Sequence, residues 1–184
     1  EPLLTVLGDK LPQHYLILLQ NNDEIRPGGG FIGSYAVAMF NDGRLADLDF
    51  KDVYEIDNPY NGFLEIPVPE IRELTDNWRF RDSNVYADFP TTANSAMNLF
   101  DIQGGPGVDG VIAINLSAAQ AMLGAIGPLE IPSLPKALTA EAFPAVTSTM
   151  VEAKSTGETT PKAIVGELID AFVTKLESPM QHAA

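Results

Sequence analysis

The chain has 184 residues and a formal net charge of −14, because 25 acidic side chains stand against 11 basic ones, and it contains no cysteine. The acidic excess argues against nucleic acid and anionic lipid surfaces as partners, since both attract basic proteins. The lack of cysteine excludes thiol catalysis, zinc–thiolate centres and disulfide bonds. A hydrophobic content of 45% and the length predict one globular domain covering residues 1–184.

No apolar run reaches the roughly 20 residues that span a bilayer. The chain begins EPLLTVLGDK, without Met and without a signal-like segment. We therefore expect a portion of a longer protein, associated with a membrane only through an anchor outside this chain.

Three strands are predicted in the first third of the chain. The run HYLILLQ at residues 14–20 is continuously apolar, as in a buried strand, and residues 30–40 are rich in β-favouring types. The Asp-Gly pair in NDGR, residues 41–44, indicates a hairpin that leads into a third, alternating strand at 45–56.

Residues 57–90 carry many turn formers and predict a long irregular excursion with one helical turn near 69–76. Excursions of this length inside a compact domain are often functional. A helix at 88–101 is predicted to follow, with Asp88 or Thr91 as its N-terminal cap.

The second half of the chain alternates between strand and helix patterns. The predicted elements are a buried strand at 108–115, a helix at 116–127, a short edge strand at 128–132, and helices at 138–153 and 161–176. Pro144 is expected to interrupt the helix at 138–153. Strands that alternate with helices predict a layered α/β domain.

The stretch NNDEIRPGGGFIGS contains three consecutive glycines, Gly28, Gly29 and Gly30. It is not a phosphate loop, because no Gly-Lys-Ser/Thr follows, and not a dinucleotide fingerprint, because the next element is predicted to be a strand rather than a helix. Two interpretations stay open. The backbone contacts a ligand, or a tight turn requires positive φ angles.

Charged residues in two other segments suggest a binding site. Arg79 and Arg81 would share one face if their segment is extended, which suits a phosphate or carboxylate, although they could instead neutralise neighbouring acids. The segment FKDVYEID places Lys51, Asp52, Glu55 and Asp57 near a strand end, where carboxylates can hold Mg²⁺. No Gly-x-Ser-x-Gly elbow is present, so a serine hydrolase has no support.

Three separated blocks carry a resemblance to a known family. LLQNNDEIRPGGGFIGSY, WRFRDSNVYADFPTTA and VDGVIAINLSAAQAMLGAIGPLEIP together resemble an uncharacterised bacterial envelope family, the domain of unknown function four thousand and twelve. That family is similar in turn to the LytR-CpsA-Psr domain, whose members attach glycopolymers to peptidoglycan from polyprenyl-pyrophosphate carriers. The similarity lies in an opening strand followed by an acid and an arginine, a later VDGV strand, and the helix after it.

The resemblance implies a central mixed β-sheet flanked by helices, an upstream membrane anchor and an extracellular location at the bacterial cell wall. Asp23 and Arg26 match the aspartate and arginine that follow the first strand in those enzymes. Lys51 and Asp52 stand where the enzymes have Arg-Asp at the end of the third strand. The Arg-Ser-Asp-Thr motif of their second strand is replaced here by GGFIGSY.

Two hypotheses follow from these residues. In the first, the domain binds a polyprenyl-pyrophosphate-linked glycan or cell-wall polymer and transfers it as a phosphotransferase. The expected phosphate-binding and catalytic residues are Arg26, Lys51, Arg79 and Arg81, the triglycine backbone lines the site, and the expected Mg²⁺ ligands are Asp23, Asp52 and Asp82. In the second, the domain is a non-catalytic extracellular module for cell-surface assembly or adhesion, and the same side chains form a structural network that holds the 57–90 excursion.

Overall fold

The computed structural model of the protein describes residues 2–73, 75–155 and 160–177. The chain forms two compact units, the first ending at Asn115 and the second beginning at Leu116. Within the described ranges, no helix combines the length and apolar character that crossing a membrane requires.

The first unit is built on a four-stranded mixed sheet. Its strands are β1 (Gln13–Asn21), β2 (Phe31–Asn41), β3 (Arg44–Asp52) and β4 (Gly110–Asn115). They lie in the order β3-β2-β1-β4, with β1–β2 and β2–β3 antiparallel and β1–β4 parallel. The predicted α/β fold with a central mixed sheet flanked by helices is confirmed.

Local sequence signals explain the hairpin and the buried strand. Leu16 and Leu18 of β1 are fully buried on the face that packs against the core. Asp42 and Gly43 have φ angles of 51° and 76°, the left-handed conformation that a two-residue hairpin turn needs. The predicted hairpin is therefore confirmed.

The third predicted strand ends earlier than expected, at Asp52 rather than at residue 56. A carboxylate oxygen of Asp52 accepts the backbone N–H of Tyr54 at 2.9 Å, and a one-turn helix, α2 (Tyr54–Asp57), begins there. A local side-chain-to-backbone bond of this kind ends the strand because it offers the backbone an alternative partner. Residues 54–56 of the predicted strand are thus helical.

Helices complete the first unit. They are α1 (Pro2–Val6), α2, 3₁₀ turns at Pro69–Glu73 and Phe80–Asp82, and α3 (Phe89–Ile102). Asp88, rather than Thr91, caps α3, since its carboxylate accepts the Thr91 backbone N–H at 2.9 Å. Ala96, Leu99 and Phe100 of α3 are buried in the same apolar cluster as the sheet residues.

In its described residues, the second unit contains three helices, which are α4 (Leu116–Ile126), α5 (Phe143–Ser155) and α6 (Thr160–Glu177). Pro144 does not interrupt a helix as predicted but lies in the first turn of α5, where a missing N–H costs nothing. The predicted edge strand at 128–132 is reduced to a single bridge between Leu129 and Leu138. Both residues belong to the buried core of this unit.

Candidate functional site

The triglycine loop (residues 28–30) packs against the segment at 79–84. The backbone N–H of Gly28 donates to the carbonyl of Asn84 at 3.0 Å, and the side-chain amide of Asn84 donates to the carbonyl of Gly30. Asn84 is fully buried. The two sequence blocks that carry most of the predicted site residues are therefore adjacent in the fold.

The glycines are required by this packing. Gly29 and Gly30 have φ angles of 108° and 127°, which side chains rarely tolerate. A Cβ on Gly28 would lie 2.8 Å from the Asn84 Cβ, and the side chain of Gln20 donates to the Gly28 carbonyl at 2.8 Å. Side chains of the protein, those of Asn84 and Gln20, therefore occupy the space beside this loop. Contact between a ligand and the three glycines stays a prediction.

A buried carboxylate, Asp57, joins three parts of the first unit. It accepts the backbone N–H groups of Phe80 at 3.0 Å and Arg81 at 3.4 Å, and an Nη of Arg81 at 3.1 Å. With its amide oriented to donate, Gln103 adds a bond of 2.8 Å. Burial raises the pKa of Asp57 to about 6, although Arg81 acts to lower it.

Arg81 connects this carboxylate to a second one. Its Nε lies 3.5 Å from an oxygen of Asp82, and its guanidinium lies 5.6 Å from the centre of the Tyr54 ring. Burial raises the pKa of Asp82, while the nearby positive charges of Arg81 and Arg26 act to lower it. Arg81 is thus paired with Asp82 directly, and Arg26 acts on that carboxyl from beyond ion-pair distance.

Two arginines of the predicted set have aromatic rings rather than carboxylates as their close partners. The guanidinium of Arg26 lies 5.3 Å from the Phe31 ring centre, and that of Arg79 lies 4.9 Å from the Tyr60 ring centre. No carboxylate of the described side chains approaches either guanidinium within 4.0 Å. An Nη of Arg79 is buried and has no hydrogen-bond partner in the described part of the chain.

The remaining predicted cation has a local partner. The Nζ of Lys51 lies 2.6 Å from a carboxylate oxygen of Asp49, two residues earlier on the same face of β3. Both side chains are about half exposed, at 41% and 52%. Lys51 is thus paired within its own strand.

The three predicted metal ligands are held in different local settings. Asp23 is exposed, and its backbone N–H donates to the Asn21 side chain at 3.1 Å. Asp52 is the last residue of β3 and accepts the Tyr54 backbone N–H, and Asp82 pairs with Arg81. Among the residues that the structure describes, no three His, Asp or Glu side chains form a group that could hold a metal ion. Magnesium binding by the three aspartates stays a prediction.

A comparison with family models places these residues in a known family. The model described as "Protein of unknown function (DUF4012)" matches residues 10–151, most of the chain and every predicted site residue. The chain belongs to the DUF4012 family. No curated protein and no solved structure matches it.

Two residues of this DUF4012 site were not predicted from sequence, Gln103 in the buried network and Tyr60 beside Arg79. Asp57 was predicted only as one of several strand-end carboxylates, whereas in the structure its partners are Arg81 and Gln103. Asp57 and Arg81 are 24 positions apart, so no local spacing connects them. The length of the 57–90 excursion was the one sequence signal for such a network, because the backbone N–H and C=O groups of a long irregular segment need hydrogen-bond partners where they are buried.

Proposed function

We propose that this DUF4012 chain is a bacterial cell-envelope domain that binds a phosphorylated or pyrophosphate-linked glycan carrier through Arg26 and Arg79. The observation that supports this proposal is that both guanidinium groups lie over aromatic rings, and no carboxylate of the described residues is at ion-pair distance from them. Arg72 and Arg81, by contrast, are paired with carboxylates. Forked guanidinium donors match the oxygens of phosphate and pyrophosphate.

The aromatic supports favour recognition of an anion. A planar guanidinium that lies on a ring loses less freedom on binding than a side chain moving in solvent. Arg26 and Arg79 belong to the two segments joined by the Gly28–Asn84 bonds, which fixes one segment against the other.

Arg81 has a different role in this proposal. Its partners are Asp57 and Asp82, and 27% of its side chain is exposed. We assign it to positioning of the 79–84 segment rather than to the ligand. Because Arg81 is paired with both Asp57 and Asp82, its positive charge offsets theirs before an anion binds.

The stronger form of the proposal is transfer of the glycan, as the similarity to the LytR-CpsA-Psr domain suggests. It would use Mg²⁺ on Asp23, Asp52 and Asp82, with Lys51 near the phosphates. Since those three carboxylates do not form one group among the described residues, the metal would be held by single carboxylates together with pyrophosphate oxygens and water. The extracellular location and the anchor outside this chain are parts of the same proposal.

The second candidate is a non-catalytic module for cell-surface assembly or adhesion. The observation that favours it is the buried bond between Asp57 and Arg81, which holds the 57–90 excursion to the core. In this case the charged residues are structural. Substitution of Arg81 would then lower stability, and no phosphate ligand would bind.

Calorimetric titration separates these functions. The intact domain is titrated with inorganic pyrophosphate and with a short isoprenyl pyrophosphate, each with Mg²⁺ and with a chelator. Saturable binding supports the carrier-binding proposal, and binding that requires Mg²⁺ supports its transferase form. Absence of binding in all four titrations would contradict the proposal and leave the non-catalytic module.

A further inference from the structure

The excursion contains a chemically distinctive dipeptide, Asn61–Gly62, the only Asn-Gly pair in the sequence. It lies between α2 and the 3₁₀ turn at Pro69–Glu73, and the side chain of Asn61 is exposed. Glycine has no side chain to hinder its backbone nitrogen. That nitrogen can therefore approach the amide carbon of the preceding asparagine.

Neither reacting group is engaged elsewhere in the described part of the chain. The side-chain amide of Asn61 makes no hydrogen bond, and the backbone N–H of Gly62 donates to no acceptor. Only the carbonyl of Gly62 is bound, accepting from the Asn77 side chain at 3.2 Å. No hydrogen bond has to break before the nitrogen bonds to the amide carbon, although the Tyr60 ring packs against Gly62, where an added Cβ would collide with the Tyr60 hydroxyl.

We propose that Asn61 is a site of spontaneous deamidation. The Gly62 nitrogen loses its proton to water and bonds to Cγ of Asn61, and ammonia leaves, which closes a five-membered imide. Water then opens the imide at either carbonyl, giving aspartate or isoaspartate at position 61. One water is consumed, one ammonia is released, and no oxidant or reductant takes part.

The product changes the site in two ways. It adds one negative charge beside Tyr60, the ring on which Arg79 lies at 4.9 Å. Isoaspartate also inserts a methylene into the backbone directly before Gly62, whose carbonyl is held by Asn77. This consequence rests on the proposed function: if Arg79 binds an anion, deamidation weakens that binding.

Asn58 is an internal control for the chemistry. It is exposed and lies three residues earlier, but Pro59 follows it. The proline nitrogen carries no proton to lose and cannot form the imide. The same loop therefore offers one reactive and one unreactive asparagine.

Peptide mass spectrometry after incubation of the folded domain at mildly alkaline pH tests the modification. We expect a gain of about one mass unit at Asn61, release of ammonia, and no change at Asn58 or in the Asn61→Gln variant. An Asn61 that stays unmodified in the folded domain, while the denatured chain converts, would overturn the proposal.

The consequence is tested by titrating pyrophosphate into Asn61→Asp and, as a charge-matched control, Asn98→Asp on the exposed side of α3. We expect a several-fold loss of affinity for Asn61→Asp only, and equal affinities would overturn the stated effect on the site. If the unmodified domain binds no pyrophosphate, the proposed function fails, while the mass measurement still decides whether Asn61 deamidates.

Discussion

A guanidinium nitrogen of Arg81 lies 3.1 Å from a carboxylate oxygen of Asp57, whose side chain is fully buried. The same carboxylate accepts the backbone N–H of Phe80. This pair therefore attaches the 79–84 segment to the end of α2. Since that segment also holds the triglycine loop, the stability of the whole candidate site depends on the pair.

Arg81→Ala should lower the free energy of unfolding by about 2–3 kcal/mol. Removing one partner of a buried pair costs about 3–5 kcal/mol. The expected loss is smaller because 27% of the Arg81 side chain is exposed. Urea denaturation measures the difference from the unmodified chain.

Arg72→Ala is the matched control for that experiment. Arg72 lies 2.7 Å from Glu65, but the two side chains are 54% and 76% exposed. Exposed pairs contribute about 0–1 kcal/mol. If Arg72→Ala and Arg81→Ala destabilise the chain equally, the buried pair does not have the role assigned to it.

Stability should also depend on pH through Asp57. Burial raises its pKa from an ordinary value of 3.8 to about 6, so the folded state holds this proton more tightly than the unfolded state. The resulting stabilisation is complete below the unfolded pKa and is lost as the pH rises through the folded pKa. A shift of this size corresponds to about 3 kcal/mol.

Asp57→Asn isolates this effect, because it removes one titrating group and leaves the other carboxyls. As the pH rises from 4 to 7, the unmodified chain should lose unfolding free energy relative to Asp57→Asn, because Asp57 loses its proton over this range. Denaturation series across this range give the difference. A constant difference would show that the pKa of Asp57 is not raised by folding.

Gly30→Ala should be strongly destabilising. Gly30 has a φ angle of 127°, and a Cβ there would collide with the backbone carbonyl of Asn21. Such strain costs about 1–3 kcal/mol. Gly107→Ala is the control, because a Cβ at Gly107 meets no atom within 4 Å. Thermal unfolding should separate the two variants, and similar melting temperatures would contradict the packing of the triglycine loop.

Elements with strong local signals could be predicted from the sequence. The turn at Asp42–Gly43 depends on two adjacent residues, and the Asp88 cap depends on a spacing of three. The end of β3 could not be predicted, because alternation continues past Asp52 while the Asp52–Tyr54 bond diverts the backbone into α2. Periodicity does not report such a competing bond.

The candidate site was predictable only in part. Arg81 and Asp82, which are neighbours in the sequence, also form an ion pair in the fold. Gln103 and the partners of Asp57 could not be found in this way, because they depend on packing between segments far apart in the chain. The prediction that Arg79 and Arg81 share an extended face is wrong. A 3₁₀ turn at Phe80–Asp82 directs them to different partners, Tyr60 and Asp57.

The central claim is that Arg26 and Arg79 bind an anionic carrier, and one calorimetric comparison tests it most directly. The double variant Arg26→Ala/Arg79→Ala is titrated with a short isoprenyl pyrophosphate beside Arg44→Ala/Arg72→Ala, which removes the same charge from two exposed arginines. We expect pyrophosphate binding to be lost in the Arg26→Ala/Arg79→Ala variant and kept in the Arg44→Ala/Arg72→Ala variant. Equal affinity of the two variants would contradict it.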